Sequence, residues 1–392
     1  MQSLSKSLSG LTRSGIRWIF DMAVQRKQAF HLEIGDPGFP TPLHIQEAAM
    51  KAIRDGHTHY VTHAGMPSLR EAILNKVQRE NGIRADLEQI GVTPGGVFAV
   101  GAAFMAVSQP GDEILLPDPG FPIYFNQAVV IGLKPVYYPL ALESGFQPDL
   151  ASIERLITPK TRALVINSPA NPTGVIFPKK TLEALLDLCR RRDIFLISDE
   201  VYEKILYEGQ HFSPASIDSD GKVITIFSTS KTYAMAGWRI GYYVAPNAVA
   251  KVIGRAVETY VSCASSVSQK AAEAALNGPQ ECVTEMVKAY TDRKEICVNE
   301  LNKANIDYAK PQGAFYITVG IGNTLQKSYN FCKNMLDATG VATAPGLTFG
   351  PGSDSAVRLS FCAAREEVAE GIHRFCDYYR ELMSMLCTGG MR

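Results

Sequence analysis

Between residues 113 and 244 the chain alternates short apolar runs with amphipathic segments, and few folds accommodate such an alternation. The runs fall at 113–116, 163–166, 194–197, 223–227 and 240–244. They are too short for helices and rich in branched aliphatic residues, so they read as buried strands. Helical patterns lie between and before them. One begins at Pro178 and puts Leu182, Leu185, Leu186 and Cys189 on one face. Another is predicted from Ser68, with Ser68 and Glu71 as a capping box and Gly82 as the stop. Strand and helix in turn imply an α/β fold with a mainly parallel sheet covered by helices on both faces.

The pattern changes near residue 285. A long helical segment at 282–303 precedes strand candidates at 314–319 and 356–361, and a final helix is predicted from 365 to about 386. The segment up to Pro42 has no sheet pattern of its own. We therefore expect a large domain over 46–284 and a smaller α+β domain built from both chain ends. Residues 1–45 would supply an N-terminal arm and part of that smaller domain, and residues 285–392 the rest. A chain of 392 residues has room for both cores.

Charge narrows the partners. Lysine plus arginine equal aspartate plus glutamate at 39 each, so no global field favours nucleic acid or an anionic membrane. The longest basic run, Arg190-Arg191-Arg192, ends a helical pattern and suits a helix C-terminus. No apolar stretch is long enough for a bilayer, and the N-terminal run lacks a secretory apolar core. The eight cysteines, at 189, 263, 282, 297, 332, 362, 376 and 387, form no CxxC pair and no metal-ligand spacing. No metal is expected, and a reducing, cytoplasmic setting fits.

Three polar motifs follow three predicted strands, at the strand ends where parallel sheets bind ligands. The first is Asn167-Ser-Pro-Ala-Asn171-Pro-Thr-Gly174, whose prolines and glycine fix a loop presenting the Asn171 amide. Alone it reads equally well as a plain turn. The second is Ser198-Asp199-Glu200-Val201-Tyr202. A carboxylate at the mouth of a buried strand needs a cation or several donors, though Asp199 also suits a helix N-cap and Tyr202 a core position. The third is Ser228-Thr-Ser230-Lys231, with Arg239 eight residues on. Two hydroxyls and a guanidinium suit a phosphate, and the lysine amine suits attack on a carbonyl. Taken singly, the serines read as turn residues, Lys231 as a surface charge and Arg239 as half of a salt bridge.

In combination, Asn-Pro-Thr-Gly, Asp-Glu-Val-Tyr and Ser-Thr-Ser-Lys followed by Gly-Trp-Arg-Ile-Gly-Tyr resemble the class I/II aminotransferases, fold-type I enzymes related to aspartate aminotransferase. The resemblance runs from about residue 13 to 380 and implies pyridoxal 5′-phosphate as cofactor. It makes Lys231 the Schiff-base lysine and proton carrier, and Asp199 the carboxylate that keeps the ring nitrogen protonated. It implies that Asn171 and Tyr202 bond the ring oxygen, and that Ser228, Ser230 and Arg239 hold the phosphate with the turn Gly95-Gly96-Val97. It assigns Phe121 to ring stacking and Arg358 and Gly35 to the substrate carboxylate pocket; Ile16, in the segment 13–20, is expected to help close the pocket for the substrate side chain. Tyr60 would reach the phosphate of the other subunit, implying a homodimer with shared sites.

The implied reaction moves an amino group from an L-α-amino acid to a 2-oxo acid, with 2-oxoglutarate the expected acceptor, in ping-pong order. Some aspartate-using relatives place a lysine after the Gly-Gly turn. Val97 stands there, which favours an apolar or aromatic donor over an aspartate-like one. The same cofactor residues would also serve β-elimination, decarboxylation or cyclisation. A regulator built on such a domain would need a DNA-binding module, for which the N-terminus leaves no room.

Overall fold

The apolar runs form strands where their patterns place them. The computed structural model describes residues 4–11 and 13–389, with side-chain surroundings to residue 386, so the first three residues of the N-terminal run and the side chain of Cys387 lie outside it. In chain order the strands are β1 (Phe30–His31), β2 (Ile90–Thr93), β3 (Glu113–Asp118), β4 (Lys134–Pro139), β5 (Thr161–Asn167) and β6 (Phe195–Asp199). They continue with β7 (Val223–Ser228), β8 (Gly241–Val244), β9 (Tyr316–Gly320), β10 (Val341–Ala342), β11 (Ala344–Pro345) and β12 (Ala356–Ser360). Strands β2 to β8 make one sheet in the order β2-β8-β7-β6-β5-β3-β4. From β4 across to β7 all neighbours are parallel, and β8 runs against both of its own. This is an α/β fold with a mainly parallel sheet.

Alternation along each strand divides the core between the two faces of the sheet. Ile114, Val165, Ile197 and Ile226 pack with the helices Gly96–Val107 and Asn247–Val261. Leu115, Leu164 and Leu196 pack on the other side with Leu182, Leu185, Leu186 and Cys189 of the helix Lys179–Arg192. Arg190, Arg191 and Arg192 occupy the last turn of that helix, as charge at a helix C-terminus should.

Two strands of the sheet escape the apolar signal. β4 begins with Lys134-Pro135 and ends at Pro139, which is tolerable because β4 is an edge strand. β2 has only four residues, including Gly91. The expected capping box is absent. The helix starts at Pro67 with Met66 at the N-cap, and the Ser68 hydroxyl instead donates to Glu273 at 2.7 Å. Proline at the first helical turn removes an amide that a cap would have had to satisfy. Gly82 stops this helix in the left-handed conformation, as expected.

A second core holds both chain ends together. Ile19 and Ala23, from the helix Gly15–Ala23, share it with Phe331, Met335, Leu359 and Phe375. β9, β11 and β12 form an antiparallel sheet beside it. The early segment is not wholly without sheet structure, because β1 pairs in parallel with β10 over two residues. So short a pairing leaves no alternation to read. The long helix spans Glu281–Lys303 and the last one Arg365–Gly389. The seven cysteines whose side chains are described are free.

Truncating Leu185, fully buried in the helix Lys179–Arg192, leaves a cavity. Leu185→Ala should cost about 2–5 kcal/mol of stability in chemical denaturation. Leu325→Ala, at a residue that is 82 % exposed, should stay within about 0.5 kcal/mol. Equal losses from the two would contradict this placement of the core.

Candidate active site

The register of the central strands brings the three motifs together. Asn167 at the end of β5 pairs with Asp199 at the end of β6, and Asp199 pairs with Ile226, two residues before Ser228 on β7. Beyond this edge opens a cavity of about 260 Å³. Asn171, Asp199, Tyr202, Ser228, Ser230 and Lys231 line it from the strand ends. Gly96, Val97, Phe121 and Arg239 line the same cavity. Ile16 and Gly35 enter from the N-terminal segment and Arg358 from β12. Two nominated residues lie outside the lining. Gly95 sits behind it at the N-cap of the helix Gly96–Val107, and Tyr60 is 87 % exposed on the protein surface.

Asp199 caps no helix, because turns rather than a helix follow β6. Its carboxylate accepts the Tyr124 hydroxyl at 2.5 Å and the Val201 amide at 3.3 Å. Burial pushes the carboxyl up to about 6 despite these bonds, and the charge of Glu200 adds to the rise. The Lys231 amine donates to the Gly35 carbonyl at 2.6 Å. Burial lowers its pKa, with Cys362 and Asp36 opposing and Arg358 and Arg239 assisting.

Arg358 is 2 % exposed, yet no carboxylate pairs with it. It donates to Asn171 Oδ1 at 3.1 Å and to the Glu33 carbonyl, and its Nε is buried without a partner. The guanidinium lies 4.4 Å from the centre of the Tyr316 ring. Arg239 donates only to the Ala236 carbonyl. Among the described residues, the ion pairs include none to Lys231, Arg239 or Arg358. The alternative of a salt bridge for Arg239 therefore falls. A buried cation without a counter-ion is costly, so Arg358 is poised for an anionic ligand, while Lys231 is partly buried and Arg239 exposed.

One end of the cavity has the form of a phosphate cradle. Gly95 has φ +89°, and a Cβ there would meet the Arg239 guanidinium. A Cβ on Gly241 would run into the Gly96 amide nitrogen. Both positions keep the start of the helix Gly96–Val107 open, where free amides and the helix dipole favour an anion. The Ser228 hydroxyl, 2.9 Å from that of Ser230, and Arg239 complete a donor set with no competing carboxylate. Among the described residues, no group of three or more His, Cys, Asp or Glu is placed to hold a metal, and no helix is long and apolar enough to cross a membrane.

The sequence reading passed over three residues. Tyr124 lies one helical turn after Phe121, in the run Phe121-Pro-Ile-Tyr124, and that spacing is the signal that would have found it. Asn167 links two motifs, since its Nδ2 donates to the Asp199 carbonyl and its Oδ1 accepts the Asn171 amide. Tyr316 bonds Tyr202 through their hydroxyls at 3.0 Å, and nothing in a strand pattern marks it.

Comparison with known proteins gives a consistent picture. The family model described as "Aminotransferase class I and II" matches residues 27–375. An aspartate aminotransferase of Pyrococcus abyssi is 37 % identical over 384 residues, covering 97 % of this chain and 99 % of its own. Aromatic-amino-acid aminotransferase 2 of Thermococcus litoralis is also 37 % identical, with the same coverage. The structure of Thermus thermophilus aspartate aminotransferase with maleate superposes with a TM-score of 0.92 at 34 % identity, over 96 % of this chain and all of that one.

The raised Asp199 carboxyl makes a thermodynamic prediction. Between its ordinary value of 3.8 and about 6 the folded chain holds a proton that the unfolded chain has released. Asp199 therefore favours the fold below that window, and this contribution is lost as pH rises through it. At about pH 8, Asp199→Asn should be more stable than the parent in the ligand-free state, by up to about 3 kcal/mol. The gap should close towards about pH 4. Urea denaturation across this range tests it, and parallel curves would count against it.

Proposed function

The chain belongs to the class I and II aminotransferase family, and from that membership we propose that it moves an amino group from an apolar or aromatic L-α-amino acid to a 2-oxo acid. We take 2-oxoglutarate as the acceptor and pyridoxal 5′-phosphate as the cofactor. One observation carries the reading: Lys231, Asp199 and Arg358 share a single cavity, and none has an ionic partner of its own.

The cradle fits the cofactor's phosphate through the Gly96 and Val97 amides, Ser228, Ser230 and Arg239. Phe121 would stack on the ring, and Asn171 and Tyr202 would bond its oxygen. Bound there, the group supplies an electron-withdrawing ring that makes the substrate Cα–H acidic. Asp199 would keep the ring nitrogen protonated, and this buried carboxylate would gain a cationic partner in return. Arg358, whose Nε is buried without a partner, would grip the substrate carboxylate in a two-bond fork. Lys231 carries the proton away from Cα. Burial favours the neutral amine that this step needs. The carbon skeleton leaves as a 2-oxo acid before the second 2-oxo acid enters, which is ping-pong order.

Ile16, Val97 and Ile123 surround the space left for the side chain, and no lysine stands at position 97. A distal carboxylate finds no cation there, whereas a hydrocarbon side chain is desolvated at no ionic cost. Tyr60, exposed on its own subunit, is assigned to the partner's phosphate in a homodimer.

Half-transamination tests the reaction. Phenylalanine or leucine should convert the bound cofactor's absorbance to the pyridoxamine form, and 2-oxoglutarate should restore it. Release of ammonia or carbon dioxide without that interconversion would sink the assignment, and faster conversion by aspartate would reverse the donor class. Arg358→Lys keeps the charge but loses the fork. It should raise the apparent KM for both amino and oxo acids about tenfold or more. Unchanged constants in steady-state kinetics would place the carboxylate elsewhere.

A further inference from the structure

Strand alternation turns Ser198 and Glu200 away from the cavity that Asp199 faces. Glu200 is 1 % exposed, and three side chains converge on its carboxylate. Ser198 donates at 2.8 Å, Ser213 at 2.9 Å and His211 through Nε2 at 2.8 Å. Nearby, the buried Glu203 accepts from the Lys76 ammonium and from Asn81 at 2.6 Å. Lys76 itself lies 4.3 Å from the centre of the Phe227 ring.

Charge balance decides the state of His211. Glu200 and Glu203 bring two negative charges and Lys76 one positive charge, so this buried group is neutral only when His211 is an imidazolium. A net charge held in so small a buried volume is expensive. Burial works against the imidazolium, but the bond and charge of Glu200, together with Glu203, outweigh it and raise the pKa, while Lys76 opposes. Lys204 and Glu80 flank Lys76 on the outer side. Asp199 is faced by the Tyr124 hydroxyl, the Val201 amide and the charge of Glu200, and it is also electrostatically coupled to Tyr202.

We propose that His211 is a positioning residue for Asp199: its positive charge opposes that of Glu200 and so lets Asp199 give up its proton at lower pH than it would beside Glu200 alone, ready for a cationic ring nitrogen. Without that charge, Glu200 stands uncompensated one residue from Asp199 and makes Asp199 hold its proton more tightly. The pair acts through its field, because neither residue lines the cavity. The inference rests on the assignment of Asp199 to the cofactor ring.

The test is the pH dependence of pyridoxal 5′-phosphate affinity, followed by cofactor absorbance on re-adding it to the full-length apoenzyme. The readout is the acid midpoint at which affinity falls. His211→Gln keeps a donor for Glu200 but removes the charge, and should raise the midpoint by roughly one pH unit. Glu200→Gln removes the opposing charge and should lower it by about a few tenths. The double variant should return to the parent midpoint or slightly below it. A purely structural role predicts weaker binding at every pH and the largest loss in the double variant. An unmoved midpoint in His211→Gln, or an equal rise in the single and double variants, would overturn the proposal. If His211→Gln does not fold, Glu200→Gln decides, because a midpoint at or above the parent's has the wrong sign. A parent chain that binds no cofactor at any pH would overturn the reading of Asp199, and this inference with it.

Discussion

Charges buried without partners govern this molecule. Arg358 is almost wholly enclosed, Lys231 reaches only a carbonyl, and Asp199 leans on a tyrosine hydroxyl and one amide. Each is desolvated at a cost that no ion pair among the described residues offsets. Elsewhere some buried charges are paired, as Lys76–Glu203 and His211–Glu200 show.

The sheet makes that arrangement possible. Parallel neighbours end on one edge, so residues distant in sequence meet with their spacing set by the strand register. Asn167 fastens two of those ends by bonding both the Asp199 carbonyl and the Asn171 amide. β12 then delivers Arg358 from the other core, and the Tyr202–Tyr316 bond ties the two halves of the site together. Asp199 and Arg358 thus stand on strands, the rigid placement that geometry-sensitive chemistry requires.

Much of this was legible because the relevant signals are local. Apolar runs announced β3, β5, β6, β7 and β8, and polar residues just past three of them announced the site. What stayed hidden depends on contacts distant in sequence. The proline-flanked β4 reads as a loop until it is known to be an edge. Ser68 looks like a cap until Glu273, two hundred residues away, takes its hydroxyl. Tyr124 and Tyr316 look like ordinary core aromatics, and only the folded chain reveals where their hydroxyls point.

Gly35 has no room for a Cβ, since the Tyr316 hydroxyl fills that space, and Gly241 is closed off by the backbone at Gly96. Val97, by contrast, is 38 % exposed, and Ile16 is only partly covered. The Gly35 and Gly241 side of the site is therefore fixed, and the Ile16 and Val97 side is open to change. For an engineer, Ile16 is the wall position of the proposed side-chain pocket that can change without touching the Gly96–Val97 turn.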